Sequence, residues 1–267
     1  MANRYDLTEA AVEVYEIQKV PASLGPLAAA TLAQVAVHSD DRVLDLACGT
    51  GVLARQIRAS HPMVPITGID LNAAMIAKAR ALAAALGGPF DWHVAEAAAL
   101  PVPDGAFTLA FCQQGVQYFS DRAAALVEIA RVLAPGGRLA MTFWAPPNAF
   151  FRAKEAALTR NVGAAAGQKA VAPFLYPGDE ELPGLLEGAG FQNIELGQAS
   201  FVREIPDVRN GIREDLEGSP LGPMVEAAGA GAMVAVVDDI LVACQDLIRD
   251  DVLTVPQHAH LIMAVRP

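Results

Sequence analysis

The stretch from Val43 to Gly51 constrains the fold of this chain more than any other. Its first residues, Val43–Leu46, are mostly apolar and favour a short buried strand. Small residues and glycines follow, and these let the backbone turn sharply and approach a ligand closely. Helical periodicity then begins at Val52, where Leu53 and Ile57 share one face. A strand, a glycine turn and a helix in this order predict the nucleotide site of a doubly wound α/β fold.

One interpretation of the turn is a dinucleotide site. Gly49-x-Gly51-x-x-Ala54 fits the G-x-G-x-x-A fingerprint, and Asp70 follows about 20 residues later, where a ribose-binding carboxylate is expected. This pattern favours an NAD-dependent oxidoreductase. The segment Tyr15–Lys19 has the Tyr-x-x-x-Lys spacing of short-chain dehydrogenases. It precedes the glycine turn instead of following the fourth strand, so its spacing is interpreted as chance.

The second interpretation starts from Asp45 at the end of the strand, with Ala47-x-Gly49-x-Gly51 after it. This segment resembles motif I of the class I S-adenosylmethionine-dependent methyltransferases, D-x-G-x-G-x-G, with alanine in place of the first glycine. Residues 95–107 are similar to the G-D-A-x-x-L-P-F-P-D-x-S-F segment of the small-molecule members, and 133–139 match Leu-x-Pro-Gly-Gly-x-Leu. The resemblance is strong over residues 40–145, because several segments agree in order.

The resemblance implies S-adenosylmethionine as cofactor and S-adenosylhomocysteine as product. It implies that Asp70 accepts the ribose hydroxyls and that Glu96 takes the place of the Asp that meets the adenine amino group. The unpaired N–H groups that begin the helix after Gly51 suit an anionic group. The expected cofactor residues are Tyr15, Asp45, Ala47, Gly49, Thr50, Gly51, Asp70, Leu71, Met75, Ala95, Glu96, Ala97, Gln113 and Gln114.

The family fold is an α/β Rossmann-like, doubly wound sheet of seven strands in the order 3-2-1-4-5-7-6, with the last strand antiparallel and a helical lid. One domain over 1–267 is expected, with a core of about 38–145, 179–205 and 251–267. The N-terminal helices 7–37 and the insertions 145–178 and 206–250 would form the lid, since both insertions are long for plain loops.

Local signals predict where several of these elements begin and end. Pro21 divides the N-terminal helices into 7–20 and 22–37. Asn72 and Ser120 are expected to cap the two helices that follow them. The Gly-rich turn 134–137 ends the second of these helices, and Arg138–Trp144 is expected as the fifth strand.

Composition limits the kinds of partner that this chain is expected to bind. The chain has 267 residues, 53% of them hydrophobic, and a net charge of −11, which argues against a nucleic-acid groove because such a groove needs a basic field. No apolar run reaches the roughly 20 residues that span a bilayer, and residues 1–6 lack an apolar export segment. Three widely spaced cysteines and no metal-binding pattern favour reduced thiols and a cytoplasmic protein. A monomer and a homodimer both remain open.

The expected chemistry is an in-line attack of an acceptor on the activated methyl group, which needs orientation more than a protein nucleophile. An oxygen acceptor also profits from a general base. His258, at the start of the last strand, is the candidate base, while Tyr118 and Gln114 follow the fourth strand and are candidates for orienting the acceptor. The leading hypothesis is a methyltransferase acting on a small metabolite or natural product. An NAD-dependent oxidoreductase and a non-catalytic adenosyl-binding protein are the alternatives.

Overall fold

Parallel strands that end next to the glycine turn form the centre of the sheet, in a computed structural model that describes residues 8–267. The strands are β1 (Val43–Leu46), β2 (Ile66–Asp70), β3 (Phe90–Val94), β4 (Phe107–Gln113), β5 (Leu133–Trp144), β6 (Gln192–Pro206), β7 (Ile248–Arg249) and β8 (Val252–Val265). They are ordered β3-β2-β1-β4-β5-β8-β6, and β7 pairs with β8. The predicted doubly wound order is confirmed for the seven long strands.

The last strand is antiparallel, as predicted. Gly136 N donates to Arg266 O, and Ala145 N donates to His258 O. Residue numbers thus increase along β5 while those of the paired residues decrease along β8, which is the antiparallel arrangement. The two-residue strand β7 is added to the seven predicted strands, and it falls within a stretch that was expected to be helical. Asp250 and Asp251 both have positive φ (49° and 61°) and join β7 to β8 as a two-residue hairpin.

Helices connect the strands and fill the insertions. The α-helices are α1 (Glu9–Val14), α2 (Gly25–Leu32), α3 (Val52–Ser60), α4 (Ala73–Ala83), α5 (Arg122–Val132), α6 (Ala149–Asn161), α7 (Ala164–Val171), α8 (Gly178–Gly188), α9 (Val208–Glu217), α10 (Gly222–Ala227) and α11 (Ala232–Ala243). A π-helix spans Tyr15–Leu24, and short 3₁₀ turns lie at Val116–Tyr118, Ala172–Phe174 and Gln245–Leu247. The break near Gly229–Gly231, between α10 and α11, agrees with the sequence.

The predicted division of the N-terminal helices at Pro21 is wrong. The chain remains helical from Glu9 to Leu32, because the π-helix carries it through Pro21. A π-helix has wider turns than an α-helix, with i→i−5 bonds such as Gly25 N to Val20 O, so the helix continues where an α-helix would be interrupted. Residue 7, where the first helix was expected to start, lies outside the described residues.

Two other boundaries differ from the predictions. Asp121, not Ser120, caps α5, and its Oδ1 accepts from Ala124 N at 2.9 Å. A carboxylate at this position also complements the positive end of the helix dipole. The fifth strand begins at Leu133 instead of Arg138, because Leu133 already pairs with Phe107. The register then shifts across the Gly-rich turn, and regular pairing resumes between Leu109 and Arg138. The prediction for Asn72 is confirmed, since its Oδ1 accepts from Ala74 N at 2.8 Å.

The chain divides into two compact units. The first contains residues 8–143, Pro177–Ala199 and Ala259–Pro267, and the second contains Trp144–Tyr176 and Ser200–His258. In the first unit every residue of β1 is buried. The N-terminal helices, which the sequence assigned to the lid, belong to this unit together with the glycine turn.

The two insertions make up most of the second unit, which has a hydrophobic core of its own. Its fully buried members include Phe150, Leu158, Leu216, Val236 and Ile240. Because each unit buries its own apolar cluster, the insertions are more than surface loops. Their role as a lid within a single domain stays a prediction.

Candidate functional site

The glycine turn after β1 is held in left-handed backbone conformations. Ala47, Gly49 and Gly51 have φ of 54°, 55° and 79°. Such angles favour residues without a side chain, so Ala47 is the strained member of the three. A Cβ on Gly51 would lie 2.7 Å from the Trp92 ring, and one on Gly49 would lie 3.1 Å from Tyr15 Oη. The backbone of the turn therefore lies in a narrow space where a larger side chain would not fit at Gly49 or Gly51.

Asp70 joins this turn to the end of β2. Its Oδ2 accepts from Gly49 N at 2.9 Å, and its Oδ1 accepts from Asn72 N at 2.9 Å. Burial raises the pKa of Asp70, while these backbone N–H groups act in the opposite direction. The side chain of Asp70 is half-buried. The N–H of Leu71 also bonds this carboxylate, and of its roughly four lone-pair positions one is left for a further donor.

Asp45 lies beneath the same turn. It is 1% exposed, and its Oδ2 accepts from Ala54 N at 3.3 Å in the first turn of α3. Burial raises the pKa of this carboxyl to about 7, and the neighbouring Asp70 adds to the increase. Asp45 thus supports the turn from inside, whereas Asp70 borders it.

The residues expected around adenine divide between surface and core. Leu71 is 46% exposed and Glu96 is exposed, and both lie near the end of β2, where Ala95 N donates to Asp70 O at 3.1 Å. Ala97 is half-buried beside them. Met75, in contrast, is only 4% exposed and lies on the buried face of α4.

The π-helix lies over the glycine turn. Besides the Tyr15 contact, Glu16 pairs with Arg55 at 2.7 Å, and Arg55 also donates to the carbonyl of Thr50. Gln113, the last residue of β4, donates from Nε2 to Leu24 O at 3.0 Å. These bonds place an N-terminal segment against residues from α3 and β4. Tyr15 lies close to the turn, and its contact with the cofactor stays a prediction.

The loop after β4 also reaches the turn. A Cβ on Gly115 would lie only 2.5 Å from Ala47 Cβ, so the backbone of the loop approaches the turn directly. Gln114, with φ of 56°, lies just before this contact, and its Oε1 accepts from Gln117 Nε2 at 3.0 Å. Tyr118 is half-buried in the 3₁₀ turn that follows.

Several buried polar atoms of the π-helix, the glycine turn and the end of β4 with the loop after it have no hydrogen-bond partner among residues 8–267. They are Glu16 Oε2, Gln18 Oε1, Thr50 Oγ1, Gln113 Oε1, Gln114 Nε2 and Gln117 Oε1. Buried polar atoms are almost always paired, so a cluster of unpaired ones indicates a place for a ligand or for water. Glu16, Gln18 and Gln117 were missed by the sequence analysis. For Gln117, the only signal was its position in a loop rich in amides.

The candidate base His258 belongs to the second unit. It is exposed, and its Nδ1 lies 2.8 Å from Ser200 Oγ. A small cavity beside it is lined by Asn148, Ala149, Phe150, Leu247, Val255 and Pro256. A role for His258 in catalysis stays a prediction.

Comparison with known proteins gives concordant results. A family model described as a methyltransferase domain matches residues 43–137. Demethylmenaquinone methyltransferase of Deinococcus radiodurans is 33% identical over 175 residues, which are 61% of this chain and 73% of that protein. The protein of the same name from Thermus thermophilus is 44% identical over 106 residues, 40% of this chain and 48% of that protein. The chain thus spans about half the length of the Thermus relative.

The fold is shared with a solved structure of low sequence identity. Phosphoethanolamine N-methyltransferase 2 of Haemonchus contortus, in complex with S-adenosyl-L-methionine, superposes with a TM-score of 0.62 at 19% identity, over 99% of this chain and 59% of that one. Within residues 8–267, no helix is both long and apolar enough to cross a bilayer.

Proposed function

This chain belongs to the class I S-adenosylmethionine-dependent methyltransferases, and on that premise we propose that it transfers a methyl group from S-adenosylmethionine to a small-molecule acceptor. Family membership decides between the two interpretations of the glycine fingerprint, in favour of the sulfonium cofactor over NAD. The observation that carries the proposal is the carboxylate of Asp70, which borders a glycine turn with unpaired polar atoms on and around it.

The residues around the turn fit a nucleoside joined to an amino acid. The charged carboxylate of Asp70 suits the ribose hydroxyls, and the exposed side chain of Leu71 offers an apolar surface for a base. Thr50 Oγ1 and Gln113 Oε1 are unpaired and suit the polar amino-acid end. The residues that would hold the cofactor directly are Tyr15, Ala47, Gly49, Thr50, Gly51, Asp70, Leu71, Ala95, Glu96, Ala97 and Gln113. Asp45 and Met75 would support them from the core. Gln114 was predicted with the cofactor residues, but its amide is bonded to that of Gln117 in the loop after β4.

The cofactor supplies, when bound, a methyl group activated by the positive sulfur. This chain's own residues then have to orient the two reactants and keep water away. The π-helix with Tyr15 covers the turn, and the loop after β4 borders it on another side. Fixing two reactants in line lowers a barrier by about 7–11 kcal/mol in favourable cases. Positioning is therefore sufficient without a protein nucleophile.

Several observations support a small, uncharged or weakly polar acceptor. The chain has a net charge of −11, which disfavours polyanionic partners. Relatives are named as methyltransferases for demethylmenaquinone, and one from Aspergillus sclerotiorum is named an O-methyltransferase. We assign Tyr118 to positioning the acceptor and His258 to accepting a proton where the acceptor is a hydroxyl. We also propose a cytoplasmic location, supported by three cysteines that are all unpaired.

Calorimetric titration tests the cofactor. S-adenosylmethionine and S-adenosylhomocysteine should each bind at one site and raise the melting temperature, because they bind only the folded chain. NADH should do neither. Transfer of labelled methyl from the cofactor to members of a panel of phenols, quinols and amines then tests catalysis. Binding of NADH with no response to either sulfur nucleoside would contradict the proposal. Cofactor binding without methyl transfer to any acceptor would favour the alternative of a non-catalytic adenosyl-binding protein.

A further inference from the structure

Two glutamines of the loop after β4 form a bonded pair of side-chain amides. Gln117 Nε2 donates to Gln114 Oε1 at 3.0 Å. This bond uses one atom of each amide and leaves the other two, Gln114 Nε2 and Gln117 Oε1, buried and without a partner among the described residues. The pair therefore presents one buried donor and one buried acceptor. Leaving such groups unpaired is unfavourable, so the arrangement favours a ligand that satisfies both.

This property does not depend on how the amides are oriented. The nitrogen and oxygen of a glutamine amide are assigned from the hydrogen-bond network. If both amides were reversed, the bond between them would also be reversed, and Gln114 would present the acceptor while Gln117 presented the donor. In either case one donor and one acceptor remain. A hydroxyl group is the simplest neutral function that both accepts and donates a hydrogen bond.

The surroundings place the pair at the expected site of methyl transfer. Gly115, between the two glutamines, approaches Ala47 of the glycine turn so closely that a Cβ there would lie 2.5 Å from Ala47 Cβ. The same Cβ position is 3.8 Å from the ring of Phe119, so an aromatic side chain lies against the backbone between the two glutamines. Arg122 fixes the loop by donating to Val116 O at 3.3 Å and to Gln117 O at 3.2 Å.

We propose that the amide pair Gln114–Gln117 recognises a neutral hydroxyl on an aromatic acceptor, and that Gln114 thereby belongs to the acceptor site instead of the cofactor site. The inference rests on the proposed function, because it names the acceptor class for the same site. The hydroxyl would donate to one amide and accept from the other. An amide is too weak a base to remove the hydroxyl proton, so the pair positions the acceptor and does not activate it.

The test uses two probes of similar shape, 1-naphthol and 1-methylnaphthalene, titrated into the full chain saturated with S-adenosylhomocysteine. Naphthol should bind at least tenfold more tightly than the methyl compound. Gln114→Leu and Gln117→Leu should each remove most of this preference while leaving the affinity for S-adenosylhomocysteine within twofold. Gln34→Leu is the matched control, because Gln34 is exposed and its amide bonds the carbonyls of Ala30 and Gln198. It should change neither affinity.

Each other outcome has a definite meaning. Equal affinity of the unaltered protein for the two probes, no saturable binding of naphthol, or an unchanged preference in both leucine variants would overturn the inference, and the unpaired amide atoms would then bind water only. These results leave the proposed function intact as long as S-adenosylhomocysteine binds. Failure of S-adenosylhomocysteine to bind the unaltered protein would overturn the proposed function, and this inference with it.

Discussion

The core of the second unit contains a paired cluster of buried charged groups, whereas several buried polar atoms around the glycine turn of the first unit have no partner among the described residues. In the second unit, Asp215 accepts from Lys154 at 2.5 Å and from Arg203 at 2.9 Å, and the three side chains are almost completely buried. In the first unit, Thr50 Oγ1 and Gln113 Oε1 are equally buried but have no partner among the described residues. The difference separates polar groups that hold the fold together from those available to a ligand.

The largest expected effect is on the free energy of unfolding, through the buried charged cluster of the second unit. Asp215→Ala should lower the free energy of unfolding by about 3–5 kcal/mol, because it leaves two buried cations without their carboxylate. Urea unfolding measures this loss. Asp238→Ala is the control, since Asp238 pairs with Arg209 at the surface and such pairs contribute about 1 kcal/mol or less. Equal losses in the two variants would remove the distinction between a structural buried cluster and a surface pair.

Asp45 gives a prediction about pH. Its pKa is raised to about 7, so the folded chain holds a proton that the unfolded chain releases above its ordinary value of 3.8. The folded state binds more protons in this window, and its stability therefore falls as the pH rises from about 4 to 7. Relative to Asp45→Asn, the unaltered protein should lose about 3 kcal/mol between pH 4.5 and 8, since each pH unit between 4.5 and the pKa of about 7 contributes about 1.4 kcal/mol. Parallel stability curves for the two proteins, measured by urea unfolding at pH 4.5 and 8, would show that Asp45 titrates normally.

Gly49 tests the space over the turn. Gly49→Val should weaken S-adenosylhomocysteine binding by roughly 100-fold, about 3 kcal/mol, because the new side chain would occupy the gap below Tyr15 Oη. Gly136→Val is the matched control. Gly136 also has positive φ, but a Cβ there meets nothing within 4 Å, so it shares the backbone strain without filling the site. A similar loss of affinity in both variants, by calorimetry, would assign the effect to strain.

The smallest expected effect is at Asp70. Asp70→Ala should weaken S-adenosylhomocysteine binding by about 1–3 kcal/mol, because the ribose hydroxyls lose a charged acceptor and Gly49 N loses its partner. Asp91→Ala serves as the control, since Asp91 is exposed on β3 and pairs with His93. An unchanged dissociation constant for Asp70→Ala would remove this residue from the site.

The sequence predicted the turn and its carboxylate better than it predicted their surroundings. Gly49, Asp70 and the strands that carry them follow from local patterns, because strand, turn and helix lie within one short stretch. Glu16 and Gln117 were missed because they reach the site through tertiary contacts. Glu16 arrives through a π-helix that the sequence divided at Pro21, and Gln117 becomes informative only through its bond to Gln114. The fold of the insertions could be predicted only as helices, since nothing local specifies which faces pack together.

A crystal structure of the complex with S-adenosylhomocysteine tests the central claim most directly. The account predicts that both ribose hydroxyls lie within about 3.2 Å of the Asp70 carboxylate, and that Thr50 Oγ1 and Gln113 Oε1 gain partners on the ligand. The contrary result would be a nucleoside bound away from the glycine turn, with ordered water on those two atoms.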